Sequence, residues 1–392
     1  MNLFVTALVL VSIGLVLSCT DTSNSDDLPY KIVDTGVTAF YDNNREISYV
    51  PGSGSVFNGQ DATYCGNQPR YSFVDSEQKV VRDENTGLMW MRYLSPQGKM
   101  TYEQAKRTYH LVNLGGFNDW RIPNVKELFS LIKFTGSMAG GAEAGGERFI
   151  DTNYFEQPLG NTSIGEREID AQVLSGTEYT GRVFGGQQCN FGVNFIDGRI
   201  KCYPRHGYFY VRLVRGNPNY GQNRFENNGD TVSDLNTGLM WQRNDAGPGH
   251  WPGALQYCLR LDLGGFTDWR LPNVKELQSI VDYSRGPQTT NTPAIDPIFN
   301  TTRIRLTDGS YDYPYYWSGT THLDGRPIWA AYVAFGQGWG APWGNSLVDV
   351  HGAGSQRSDP KIIGPGRTYP EFFGPQGDMR VVNNYARCVR NI

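Results

Sequence analysis

Leu114-Gly115-Gly116-Phe117-Asn118-Asp119-Trp120-Arg121-Ile122-Pro123-Asn124-Val125-Lys126-Glu127-Leu128 returns as Leu263 to Leu277, with only Asn118→Thr267 and Ile122→Leu271 changed. Upstream, Asn85-Thr86-Gly87-Leu88-Met89-Trp90 returns as Asn236-Thr237-Gly238-Leu239-Met240-Trp241. A repeat this long means two copies of one domain. We divide the chain into a leader (1–18), a tether and N-terminal extension (19–70), a first repeat (71–216) and a second repeat (217–392).

Within each copy, short strands flank an Asn-Thr-Gly turn, Val80 to Asp83 before it and Leu88 to Trp90 after it in copy one. A helix follows. In copy one Thr101 with Gln104 forms a capping-box pattern, and in copy two Pro252 sits near the helix start. A second helix begins after Pro-Asn, with Asn124 or Asn273 as N-cap and Glu127 or Glu276 three residues on. The second half of each copy reads as strands and closes with Tyr210 to Arg215 or Tyr385 to Arg390. Copy two is longer, and the extra length lies between Gly336 and Asp378.

The 392 residues carry a net charge of −4 and 47 Gly, with charged residues at only 19 %. No basic surface supports nucleic-acid binding. Leu3 to Leu17 is apolar and ends at Ser18-Cys19, which resembles a bacterial lipobox with Cys19 as the lipidated mature N-terminus. Thr20 to Pro29 would then be a polar tether. These features predict export and lipid anchoring in the envelope, at the outer membrane or cell surface.

In an oxidising compartment the remaining cysteines pair. Aligning the copies sets Cys258 against Tyr109 and Cys388 against Leu213, so both cysteines are replaced together by ring or aliphatic side chains. This predicts a Cys258–Cys388 disulfide from the first helix to the last strand. Cys189 and Cys202 flank Asp197-Gly198. A two-residue hairpin would keep them too far apart, leaving a bulge or a bond to Cys65 as alternatives. Five cysteines besides Cys19 also leave at least one over.

The motifs Asn-Thr-Gly-Leu-Met-Trp, Gly-Gly-Phe-x-Asp-Trp-Arg-x-Pro-Asn-x-x-Glu-Leu and Arg-Cys-Val-Arg resemble the bacterial domain family named after the C-terminal domain of Legionella collagen-like protein. That resemblance implies an exported protein, and an adhesin function of the kind found in the founding domain, which binds sulfated glycans. The acidic chain lacks the basic run which that ligand needs. The element order also resembles the C-type lectin-like fold used by formylglycine-generating enzymes. The implied class is α+β: two tandem C-type lectin-like domains, each with two helices and short twisted antiparallel sheets. In that fold a disulfide ties the first helix to the last strand. The sugar-binding motifs of calcium-dependent lectins and the paired catalytic cysteines of the oxidases are both missing.

Residues kept in both copies, such as Asp119-Trp120-Arg121 and Asp268-Trp269-Arg270, read as scaffold, as do Trp90, Trp241 and Trp317. Function is sought in the insertion of copy two. Trp339, Trp343 and Asn345 sit among glycines, and Asp349, His351, Arg357 and Asp359 form the densest polar cluster. We take these seven as candidate ligand contacts for a glycan or an envelope or extracellular protein. No catalytic residue, metal or cofactor is assigned. Two other readings stand: an oxidase or hydrolase using the His351 cluster, and a purely structural envelope protein.

Overall fold

The computed structural model describes residues 28–138, 146–306, 309–344 and 346–392. The local expectations hold. Thr101 and Gln104 form a reciprocal capping box on the helix Tyr102–Thr108. Asn124 with Glu127, and Asn273 with Glu276, do the same on the second helices Val125–Ser130 and Val274–Ser279. Trp251–Leu259 starts with proline in its first turn.

The α+β lectin assignment does not hold. The chain is mostly β, with 30 % strand against 12 % helix, and no C-type lectin likeness is shown. The described residues hold five α-helices of four to nine residues, Pro287–Thr290 being the fifth. The glycines that mark the repeat lie between the two helices of each copy, where Gly115 and Gly116 take φ of 61° and 80° and Gly264 and Gly265 repeat this. These left-handed turns reverse the chain between helices that are already short.

Each repeat opens with a three-stranded antiparallel unit that its own closing strand completes. In copy one Tyr71–Phe73, Val80–Asp83 and Met89–Met91 are joined by Val214–Arg215. In copy two Phe225–Asn227, Thr231–Asp234 and Leu239–Gln242 are joined by Val389–Asn391. The remaining long strands make one eight-stranded sheet spanning both copies. Its order is Ala246–Gly249, Asn384–Ala386, Tyr315–Asp324, Arg326–Ala334, Gln356–Pro360, Arg199–Pro204, Cys189–Asn194 and Val173–Glu178. The seam between repeats is the pairing of Gln356 with Ile200.

The core is likewise shared. One cluster contains Trp90, Leu128 and Val193 of copy one with Trp241, Leu277 and Val333 of copy two. The segment before the first repeat is built in from Tyr30 onward. Tyr30 and Val33 are buried, and the Asp61 carboxylate accepts from Thr35 of this segment and from Thr320 of copy two, at 2.8 and 2.6 Å.

The Cys258–Cys388 bond is present, with Cα atoms 5.4 Å apart. In copy one, Leu213 is buried in a cluster against which Tyr109 packs, so the equivalent positions share one apolar cluster. Cys189 and Cys202 are also bonded. The register places Cys189 opposite Pro204 and Phe191 opposite Cys202, with Asn194 facing Arg199. The turn is therefore four residues long, and the two-residue shift brings the sulfurs together diagonally across the hairpin. Cys65 is disulfide-bonded as well, so among the described residues no thiol is left over. Cys19 lies outside the described residues. No described helix is long and apolar enough to cross a membrane.

Candidate functional site

The insertion of copy two folds into its own four-stranded sheet, ordered Val348–Asp349, Trp339–Gly340, Asp378–Arg380 and Glu371–Phe373. Several of its glycines, among them Gly336 and Gly338, serve close packing. A Cβ at Gly336 would lie 2.1 Å from the Tyr313 carbonyl oxygen, and one at Gly338 would lie 2.6 Å from the His351 Cβ.

This sheet presses the polar cluster against the first repeat. Asp349 Oδ2 accepts from the Tyr179 hydroxyl at 2.8 Å and from Gln288 Nε2 at 3.2 Å. Its Oδ1 accepts from the Gly338, His351 and Gly352 amides at 3.1, 3.3 and 2.8 Å. The Asp349 and His351 carbonyls accept from Phe184 and Cys202 of copy one, at 2.8 and 2.9 Å. Asp349, His351, Arg357 and Asp359 are all buried. Of these four candidate contacts, Asp349 and His351 bond across the seam between the repeats, while Arg357 and Asp359 pair with Asp378 and Asn384 within copy two.

His351 Nε2 lies 3.0 Å from Asp378 Oδ1, and Arg357 pairs with the other oxygen. Burial alone would raise Asp378, but Arg357 and His351 hold it well below the usual carboxylate range. Burial, reinforced by Arg357, lowers His351 to about 4. At neutral pH the ring is therefore neutral and donates its Nε2–H to the carboxylate. Burial pushes Asp359 up to about 8, against a hydrogen bond at 3.0 Å from Asn384 Nδ2. A general base must reach a substrate proton directly or through one water. His351 is 2 % exposed, so this position offers no such reach.

The two tryptophans part company. Trp339 is half-buried and donates its indole N–H to Asp312 at 2.6 Å, which anchors the sheet. Trp343 is 82 % exposed, with φ of 56°. Asn345 lies outside the described residues. The same sheet carries Phe372 and Phe373, both exposed, and the Arg380 guanidinium lies between the Phe373 and Trp329 rings, 3.7 and 4.3 Å from their centroids. The neighbouring phenylalanines were not singled out in the sequence, although Phe-Phe in a short strand must send side chains to both faces.

The kept residues behave as scaffold in parallel. Arg121 and Glu127 form a two-pronged pair, as do Arg270 and Glu276 at 2.6 Å for both bonds. Trp120 and Trp269 each donate to two carbonyls of the preceding Leu-Gly-Gly-Phe turn. Asp119 pairs with Arg215, and Asp268 with Arg390. Among the described residues no cluster of His, Cys, Asp or Glu could hold a metal ion.

The chain belongs to the Lcl C-terminal domain family, whose model matches residues 79–215 and 230–346. The second match stops inside the insertion, although the strand Val389–Asn391 beyond it completes that repeat just as Val214–Arg215 completes the first. No curated protein matches the chain.

Proposed function

We propose that this chain is an exported, lipid-anchored envelope protein acting as a non-catalytic binding or adhesion module. Its partner is a glycan or an envelope or extracellular protein, and the contact is made by the exposed aromatic side chains of the inserted sheet. The observation that carries this reading is Trp343. A large apolar side chain held 82 % exposed costs hydration, and a left-handed backbone at a non-glycine residue adds roughly 1–3 kcal/mol of strain. Ring faces of this kind stack on sugars and anchor protein partners. Phe372 and Phe373 add two further exposed rings on the same sheet. The apolar leader and the disulfides support an oxidising, extracytoplasmic setting.

The test is a glycan array and an envelope-protein pull-down with wild type and a Trp343→Ala/Phe373→Ala variant. Binding that falls at least tenfold in the variant supports the reading. Absence of any binding, or binding indifferent to both substitutions, overturns it.

A further inference from the structure

Where the second repeat begins, an amine, a carboxamide and a carboxylate line up between the two copies, independent of Trp343. Lys126, on the second helix of copy one, places its Nζ 2.9 Å from Asn223 Oδ1. Asp234 Oδ2 accepts from Asn223 Nδ2 at 2.7 Å. The carboxamide is thus held from both sides, its oxygen by the amine and its nitrogen by the carboxylate. The lysine stem packs against Gly221, where φ is 87° and a Cβ would lie 3.2 Å from both Cβ and Cδ of Lys126. Asp234 is buried and fixed by the Arg224 and Asn236 amides at 2.9 and 3.2 Å and by the Thr237 hydroxyl at 2.9 Å.

Copy one supplies an internal comparison. Phe225 pairs with Asp234 and Tyr71 with Asp83, so Asn223 corresponds to Pro69. Asp83 keeps its turn bonds from the Asn85 and Thr86 amides, but its Oδ2 is buried with no hydrogen-bond partner among the described residues. Lys275, the counterpart of Lys126, donates to the Ser130 and Asp34 carbonyls and to no side-chain amide. The amine and the carboxylate therefore recur, while the carboxamide between them occurs once. A purely structural clamp is complete without it.

Two of the Lys126 hydrogen bonds go to the Gly221 and Ser279 carbonyls, at 3.1 and 2.6 Å. Burial lowers this amine to about 8, against the opposing pull of Asp234 and Asp282, so the neutral form is populated in mild alkali. There the two carbonyls keep the two remaining N–H bonds, and the lone pair takes the third direction, toward Asn223.

We propose that Lys126 and Asn223 join in an intramolecular isopeptide bond, with Asp234 as the proton carrier. The Nζ lone pair forms a bond to Asn223 Cγ, which lies one bond beyond Oδ1. Nζ and Nδ2 then share one carbon, so a proton passes from Nζ through Asp234 Oδ2 to Nδ2. The Cγ–Nδ2 bond breaks, its electron pair leaves with the nitrogen, and ammonia departs. A primary amide and an amine become a secondary amide and ammonia, with no oxidant, and Asp234 ends as it began. Reactants held in contact reach effective concentrations of roughly 10⁵–10⁸ M, which lets so unreactive a pair combine under mild conditions. The product ties the second helix of copy one to the start of copy two, 97 residues apart, by a link that thiols do not reduce. The contacts described above are those of the amine before the bond forms.

Mass spectrometry of the folded full chain tests this, with samples held for days at pH 9 or pH 6, then reduced and digested with trypsin. Wild type should lose one ammonia, faster at pH 9. It should also yield a branched peptide joining Lys126 to Asn223, with cleavage after Lys126 blocked. Lys126→Arg keeps the cation and Asn223→Ala removes the electrophile, and neither should give the branched peptide. Asp234→Asn should slow its formation at least tenfold; if that variant fails to fold, the first two decide. Wild type that stays at its unmodified mass overturns the proposal. So does ammonia loss without the branched peptide, which marks an asparagine cyclising on its own backbone.

Discussion

Lys126 and Lys275 occupy the same position in the two repeats, and each donates to the last residue of the other repeat's second helix. Lys126 Nζ reaches the Ser279 carbonyl at 2.6 Å, and Lys275 Nζ reaches the Ser130 carbonyl at 2.9 Å. Helix ends leave carbonyls without intrahelical partners, and a buried one needs a donor. Lys275 also bonds the Asp34 carbonyl, and Lys126 bonds Gly221 and Asn223. Duplication thus supplies both halves of a reciprocal clamp from one sequence block.

Removing either lysine should weaken the whole body, because the core is shared. Lys126→Met or Lys275→Met strands a buried carbonyl and should cost about 2 kcal/mol in a urea titration. The pH dependence has a definite sign. Burial lowers Lys126 to about 8 and Lys275 to about 7, from 10.5. Above these values the unfolded chain holds protons that the native chain has released, so this contribution to stability grows as pH rises toward 10.5. The double variant should flatten the slope between pH 7 and 9. A slope unchanged from wild type refutes this.

At the seam, His351 sets an acid limit. Its native value of about 4 lies below its ordinary 6.5, so between those pH values unfolding takes up a proton. Stability should therefore fall as pH drops from 6.5 to 4, by on the order of 3 kcal/mol from this residue. His322, lowered to about 3 by burial and Arg199, acts with the same sign. Asp359, raised to about 8, acts with the opposite one. The difference between wild type and His351→Gln isolates the His351 share. Denaturant midpoints should show the variant less stable at pH 7 but less sensitive to acid.

Much of this architecture was legible because it is local or duplicated. Capping boxes occupy four consecutive residues, and the paired replacement of Cys258 and Cys388 by Tyr109 and Leu213 reported a contact without any geometry. What escaped is non-local. Lys126 sits at the second position of a helix, where a charge ordinarily faces water; only the packing of one copy on the other buries it. The burial of Asp349, His351, Arg357 and Asp359 was not legible either, because polar density in a glycine-rich insertion is the pattern of a ligand set and of a buried seam alike. The partners across that seam, Tyr179, Phe184 and Cys202, lie well over a hundred residues away.

The two disulfides should differ in worth. In the chain-entropy account the gain grows with the logarithm of the loop closed. The Cys258–Cys388 loop spans 130 residues and the Cys189–Cys202 loop 13. The tenfold ratio predicts that Cys258→Ala/Cys388→Ala costs about 2 kcal/mol more than Cys189→Ala/Cys202→Ala. Equal losses in paired denaturation curves would point to packing around the sulfurs as the larger factor.

Trp343 separates binding from folding. Its side chain is exposed and its φ is 56°, a region that glycine enters without strain. Trp343→Gly removes the backbone strain and the exposed ring together, at the cost of a more flexible unfolded chain. These effects roughly offset, so the variant should melt within a few degrees of wild type. Capture of the partner that wild type retains should fall at least tenfold. Trp343→Ala keeps the left-handed strain and loses the same ring, so it should be slightly less stable than Trp343→Gly while binding equally poorly. A Trp343→Gly protein that melts far below wild type would show that the ring is a packing element of the inserted sheet. In that case the aromatic surface would have to be sought at Phe372 and Phe373 instead.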